Sequence, residues 1–259
     1  SSTTKTSGSS ANSFVPFDSE PKAATGGRRR VRQTERLEQE KRQNQAVTGI
    51  VKELEKELND GKNNLQNILS VIQKLLQQQQ QSNNNNNLKS LTAGTPSSSS
   101  SSLSYRLAWV GSDEAICHIG TSQHKVPLAR MQEVFLLLQG RNRLEVYEVI
   151  SLLGPFPNIR NTLQGSCQTV NNKSGGGVWK ITYDSMIDGT GKELLAGKEE
   201  NVRWVDLQVC CADSNAIVAV VPNEDGSLRS NPLEDNGKHA LVFVREDDLD
   251  TKLDKLRVL

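Results

Sequence analysis

Aromatic residues are scarce in this 259-residue chain, with five Phe, three Trp and three Tyr making 4% of the whole. Hydrophobic residues reach only 35%, well short of an ordinary globular chain. A large part of the sequence therefore builds no packed core. No stretch approaches the 18 consecutive apolar residues of a membrane-spanning helix. Four Cys are too few for a small disulfide-stapled scaffold, and none sit as Cys-x-x-Cys. Net charge is also nearly absent, at +1, but its distribution is uneven. Residues 1–104 carry 14 basic and 9 acidic side chains, whereas residues 105–259 carry 17 and 21. A basic arm is joined to a mildly acidic body.

What is present falls into four segments. Residues 1–27 are rich in Ser, Thr, Gly and Ala, cannot bury enough surface to offset chain entropy, and read as a disordered tail. Their Ser/Thr-rich, acid-poor composition is that of a transit peptide or its remnant, or of a plain flexible tail. Phe14, Val15 and Phe17 form a small apolar island within it. Residues 28–81 open on Arg28, Arg29, Arg30 and Arg32, a cationic burst able to bind anions, and continue in good helix formers without proline. Apolar residues at Val47, Val51, Leu54, Leu58, Leu65, Ile68, Ile72 and Leu75 alternate in steps of four and three, with Gly61 at the missing position. This is a coiled-coil seam, flanked by Glu and Lys, and it predicts a partner-binding helix. The expected cover is a partner helix or a second copy of the chain. Asn59-Asp60-Gly61 is a turn sequence, so the helix either continues through it or folds back as a hairpin; the continuous or kinked form is the expectation. Residues 82–104 are a low-complexity Asn/Ser linker, and the Gln run before them lets the helix fray.

Residues 105–259 hold all the Trp and Tyr and read as an α+β domain. Tyr105–Val110 and Ala115–Ile119 are expected to form a hairpin around residues 111–114. Leu128–Gln139 presents Leu128, Met131, Val134, Phe135 and Leu138 at helical spacing, and Leu144–Leu153 reads as a second helix stopped by Gly154-Pro155. Beyond Pro157 the pattern turns to β. Val178–Met186, Val202–Cys211, Ala216–Val221 and His239–Arg245 are β-branched and aromatic runs between short polar turns. Such short connections cannot join parallel strands, so two helices should lead into an antiparallel sheet or small barrel.

Catalytic signals are weak. Asp188-Gly189-Thr190-Gly191-Lys192 lacks the first glycine of a phosphate loop and reads as a hairpin turn. A calcium loop starting at Asp184 fails at Met186 and Leu195. Cys117, His118 and His124 cluster in sequence without a visible third partner, and neither metal nor cofactor is expected. Adjacent Cys210 and Cys211 should point to opposite faces of a strand. Glu246–Asp250 should form a solvated turn or cap a short helix. Trp109, Trp179 and Trp204 are candidates for the core or for lining an apolar cavity.

Gly177-Val178-Trp179-Lys180-Ile181-Thr182-Tyr183 carries a Gly-x-Trp-x-x-x-Tyr pattern. It is preceded by Leu152-Leu153-Gly154-Pro155-Phe156-Pro157 and followed near the C-terminus by Asp247-Asp248-Leu249. This order, over residues 143–259, resembles the plastid lipid-associated proteins, or fibrillins. The resemblance implies a lipocalin-like antiparallel barrel, a chloroplast location on the stroma-facing thylakoid surface or at plastoglobules, and apolar lipid or isoprenoid partners. It makes Trp179 and Tyr183 barrel-strand residues; Trp204 joins them as the third expected ligand contact. The expected function is non-enzymatic lipid binding or organisation, with peripheral membrane contact. The alternatives are a scaffold subunit of a thylakoid assembly working through the coiled-coil arm, and a nucleic-acid-associated plastid protein, the least expected of these partners.

Overall fold

The computed structural model describes residues 26–60, 64–81, 102–171, 177–196, 202–256 and 258. The N-terminal tail through residue 25, Gly61 and most of the linker lie outside them. The chain divides into two compact units, residues 1–39 and 40–259. The first contributes, among the described residues, the opening of helix α1 (Gly26–Asn59); the rest of the fold belongs to the second.

Among the described residues, nine strands follow the helical segment: β1 (Leu103–Val110), β2 (Ala129–Gln139), β3 (Arg143–Leu152), β4 (Ile159–Asn171), β5 (Gly177–Ile187), β6 (Glu193–Ala196), β7 (Arg203–Ala212), β8 (Ala216–Val220) and β9 (Ala240–Arg245). All pair antiparallel. The order β4-β3-β2-β1-β9-β8-β7-β5, together with the β4–β5 pairing, closes eight strands into a barrel. β6 extends only the far end of β5. Closure removes the exposed sheet edges that an open meander would present.

The two expected helices at Leu128–Gln139 and Leu144–Leu153 are instead strands β2 and β3. The physical reason is burial on both faces. Val134, Leu136 and Leu138 face the barrel interior, while Phe135 and Leu137 face a C-terminal helix, α4 (Leu249–Lys255), outside it. A strand covered on both sides loses its polar alternation, and its continuous apolar run then imitates a helix face. The connecting turn is explicit: Arg141 and Asn142 have φ of 55° and 61°, and Arg143 N–H donates to Gly140 O at 3.2 Å. Two successive positive-φ residues match the right-handed twist of a tight hairpin.

The expected strand at Ala115–Ile119 is also corrected, to helix α3 (Asp113–Ile119). Ser112 caps it by accepting from Ala115 N–H, and Asp113 and Glu114 sit favourably in the first turn. At the other end of the domain, Asp248 caps α4 through Thr251 N–H at 3.3 Å.

The single coiled-coil arm over 28–81 is not what forms. The chain breaks after Asn59, and α2 (Leu65–Gln81) runs back along α1, with Lys74 Nζ 2.6 Å from Glu53 and Asn67 donating to Glu57 at 3.0 Å. The seam residues of the two helices pack on each other and on the barrel wall. Val47, Leu54, Ile68, Ile72 and Leu75 are buried, with Val51 and Leu58 packed beside them, against Ala216, Val218, Val242 and Val244 on the outside of β8 and β9. Leu65 stays partly exposed. Full burial of Leu54, Ile72 and Leu75 contributes about 2 kcal/mol apiece. Cys210 and Cys211 both lie in this outer layer, because a bulge between Val209 and Cys211 resets the alternation that would have sent them to opposite faces.

Candidate functional site

Eight strands enclose a space that is either filled by side chains or able to hold one small ligand. Here the interior is apolar and aromatic. Trp179, Ile181 and Tyr183 project inward from β5, because they alternate with outward Val178, Lys180 and Thr182. Tyr105 and Phe243 enter from β1 and β9. Burial pushes the Tyr105 phenol up to about 12, and its hydroxyl donates to Asp213 O at 3.2 Å. The fully buried Tyr183 hydroxyl, also pushed well up by desolvation, donates to Ile119 O at 3.0 Å.

One end of the barrel carries a plug. After β1 the chain forms α3, whose Ala115, Ile116 and Ile119 join the interior cluster. Polar side chains from the wall tie it down. Arg203, at the start of β7, donates to the carbonyls of Cys117 and His118, each at 2.7 Å, and to that of Gly120. A cation at the C-terminal carbonyls also complements the helix dipole. Glu148, fully buried on β3, accepts from Thr121 N–H at 2.8 Å and from the Thr121 hydroxyl. Asn161, fully buried on β4, donates to Gln123 at 2.7 Å and accepts from Gly189 N–H at 3.0 Å. A Cβ at Gly120 would lie 1.9 Å from Glu148 Oε1, so a larger residue there would have to push that carboxylate off its bonds to Thr121. The plug is thus bonded directly to β3, β4 and β7, and Asn161 links it onward to the β5–β6 turn. Replacing Arg203 by Met is expected to cost about 3 kcal/mol, because three carbonyls lose a charged donor. Urea denaturation measures this; a loss below about 0.5 kcal/mol would show that the plug needs no such clamp.

Among the sequence candidates, Trp179 and Tyr183 come together inside the barrel, but Trp204 does not. It is 73% exposed on the outer face, because it sits between inward Arg203 and Val205. Arg28, Arg29, Arg30 and Arg32 lie in the opening turns of α1, and their side chains are outside the described part of the structure. Cys117 Sγ lies 3.9 Å from His124 Nε2, and the other ring nitrogen of that histidine is buried without a partner. His118 points instead to Asp206 O, at 2.9 Å. The orienting group of a Cys–His nucleophile is therefore missing. Among the described residues, no three His, Cys, Asp or Glu converge as a metal site requires. Asp188 accepts from Thr190 and Lys192 within its turn; the Thr190 hydroxyl, first among these contacts, holds its carboxyl below the usual range.

Sequence reading missed Arg203, Glu148 and Asn161. Glu148 was within reach: in a strand it shares the inward phase of Leu144 and Val146, which marks a buried acid in need of donors. Among the described residues, the buried Trp179 Nε1–H meets no acceptor, as the buried His124 Nδ1 meets no partner. No family model, curated protein or solved structure matches this chain.

Proposed function

We propose that this is a non-enzymatic, lipocalin-like carrier that holds an apolar lipid or isoprenoid in its barrel at the thylakoid or plastoglobule surface. The observation that carries the reading is the buried Trp179 indole N–H, which lies within the apolar cluster of the interior and lacks an acceptor among the described residues. Buried donors are normally paired, so an unpaired one in a closed barrel suits a ligand that is mostly hydrocarbon and offers a carbonyl or ether oxygen as acceptor. Isoprenoid quinones and oxygenated carotenoids have that chemistry. The plastid address rests on the resemblance of residues 143–259 to the fibrillins.

The test uses the full chain. Solvent extraction of the purified protein followed by mass spectrometry should release an apolar lipid. Titration with decylplastoquinone should quench tryptophan emission. Trp179→Phe keeps most of the ring volume and removes the donor. It is expected to leave stability within about 1 kcal/mol of the parent while weakening quinone binding about threefold to tenfold. A protein that yields no lipid and gives no quinone response would sink the carrier reading.

A scaffold role is the second reading. The seam on α1 and α2 is occupied by the barrel, so docking would use the outer face that carries Trp204. Trp204→Ser would then abolish complex membership and leave quinone binding unchanged.

A further inference from the structure

The turns at the plug end of the barrel hold four large apolar side chains in solvent. Leu128 and Leu153 are each 68% exposed, Phe156 is 64% and Val126 is 56%. They form one neighbourhood. Ala129 pairs with Leu152, Leu153 N–H donates to Leu128 O at 2.8 Å, and the Phe156 ring rests against Gly154. Isolated exposed leucines need no explanation, but a contiguous apolar patch does.

The backbone is bent to make this patch. Val126-Pro127-Leu128-Ala129 closes a turn with Ala129 N–H on Val126 O at 3.0 Å, proline second and a positive φ third. That third position ordinarily takes glycine; here it is Leu128, at φ 70°. A leucine side chain held at positive φ and left mostly in solvent gains little from burial, which points to a use outside the fold. Pro155 and Pro157 stiffen the neighbouring loop. The charge within the segments that supply the patch has one sign. Segments 120–131 and 151–160, which supply the patch, contain Lys125, Arg130 and Arg160 and no Asp or Glu, although the body as a whole is acidic. The Arg160 guanidinium stacks over Tyr147, leaving exposed Lys125 and Arg130 beside the apolar residues.

We infer that this tip docks on an anionic lipid bilayer, with Val126, Leu128, Leu153 and Phe156 entering the headgroup boundary and Lys125 and Arg130 on the lipid phosphates. Apolar insertion combined with basic flanks is the chemistry of an interfacial anchor. The docking deepens the carrier reading by naming the surface the barrel would face, yet it does not require a bound ligand.

The experiment is co-sedimentation of the full chain with phosphatidylcholine vesicles, with and without phosphatidylglycerol. The parent should bind the anionic vesicles preferentially. Leu128→Gly relieves the turn and should leave the melting temperature unchanged or higher, while Leu128→Gly with Phe156→Ser should weaken vesicle binding by at least about tenfold. Lys125→Glu with Arg130→Glu should abolish the preference for phosphatidylglycerol. A parent that ignores both vesicle types, or tip variants that sediment like the parent, would overturn the docking. So would binding lost only when Arg28, Arg29, Arg30 and Arg32 are replaced by Ala, which would move the contact to the arm. Lipid extraction from the same preparation separates the two ideas, since a filled barrel on a protein that avoids vesicles removes the docking alone.

Discussion

Gly165→Val is expected to open the barrel and leave little folded protein. Gly165 pairs with Tyr183 in the β4–β5 ladder that closes the ring, at a bulge after Gln164. A Cβ at this position would lie 2.1 Å from Thr182 O and 2.9 Å from Tyr183 Cα. Both are backbone atoms, so no rotamer change can make room; the strands must part. Parting them breaks ladder hydrogen bonds and wets the Tyr183 side of the interior. The expected loss is about 4 kcal/mol or more, a large share of a domain's stability. Urea denaturation followed by circular dichroism reads it. Gly165→Ala should move in the same direction. Gly49→Ala in α1, where nothing lies within 4 Å of the new Cβ, should instead stabilise by about 0.5–1 kcal/mol. Parent-like stability in Gly165→Val would mean that β4 and β5 do not close the ring as described.

Alkaline pH should unfold the protein steeply. Burial pushes the thiols of Cys167, Cys210 and Cys211 up to about 12, the charge of Asp213 adding to the effect at Cys211. Burial likewise lifts Tyr105 and Tyr147 to about 12, the latter with help from its hydrogen bond to Glu145. These are acids whose neutral form the folded state favours. Their ordinary values are 9.0 for the thiols and 10.0 for the phenols. Below about pH 9 neither state ionises them, and stability is complete. Above it the unfolded chain gains ionisation energy that the folded chain cannot, until the pH passes the folded values near 12. At about pH 10.5 each thiol removes about 2 kcal/mol, so the three together remove an amount comparable to a domain's whole stability. Denaturation midpoints measured from pH 7 to 11 test this. Cys210→Ala should flatten the limb between pH 9 and 11 even if it lowers stability at pH 7. An alkaline limb with unchanged slope would assign the effect to the tyrosines.

The site was partly legible, and each failure has its own physical cause. Trp179 and Tyr183 lie on the barrel strand that the resemblance implies for them, and the clean alternation of β5 turns both inward. Trp204 was grouped with them on residue type alone, although its place between Arg203 and Val205 already implied the opposite face of the strand. Cys210 and Cys211 defeated the alternation rule because a bulge lies between Val209 and Cys211. The helical hairpin also had an overlooked mark. Val71 and Leu76 are apolar as well as the seam positions of α2, and both are buried. A stripe this broad packs on a sheet, whereas a coiled-coil seam is narrower.

From the residues alone came the antiparallel character of the C-terminal strands and the helical stripe that demanded a cover. Each follows from local spacing: short turns forbid parallel crossovers, and an apolar stripe cannot stay in water. Only the tertiary structure decided that β2 and β3 are strands, that β4 meets β5 to close the barrel, that α1 and α2 spend their stripe on the barrel wall, and that Glu148, Asn161 and Arg203 converge on the plug. Those outcomes depend on which faces are covered and on pairings between residues far apart in the chain. Local periodicity cannot report them, because a strand buried on both sides no longer alternates and a ring closes only between distant strands.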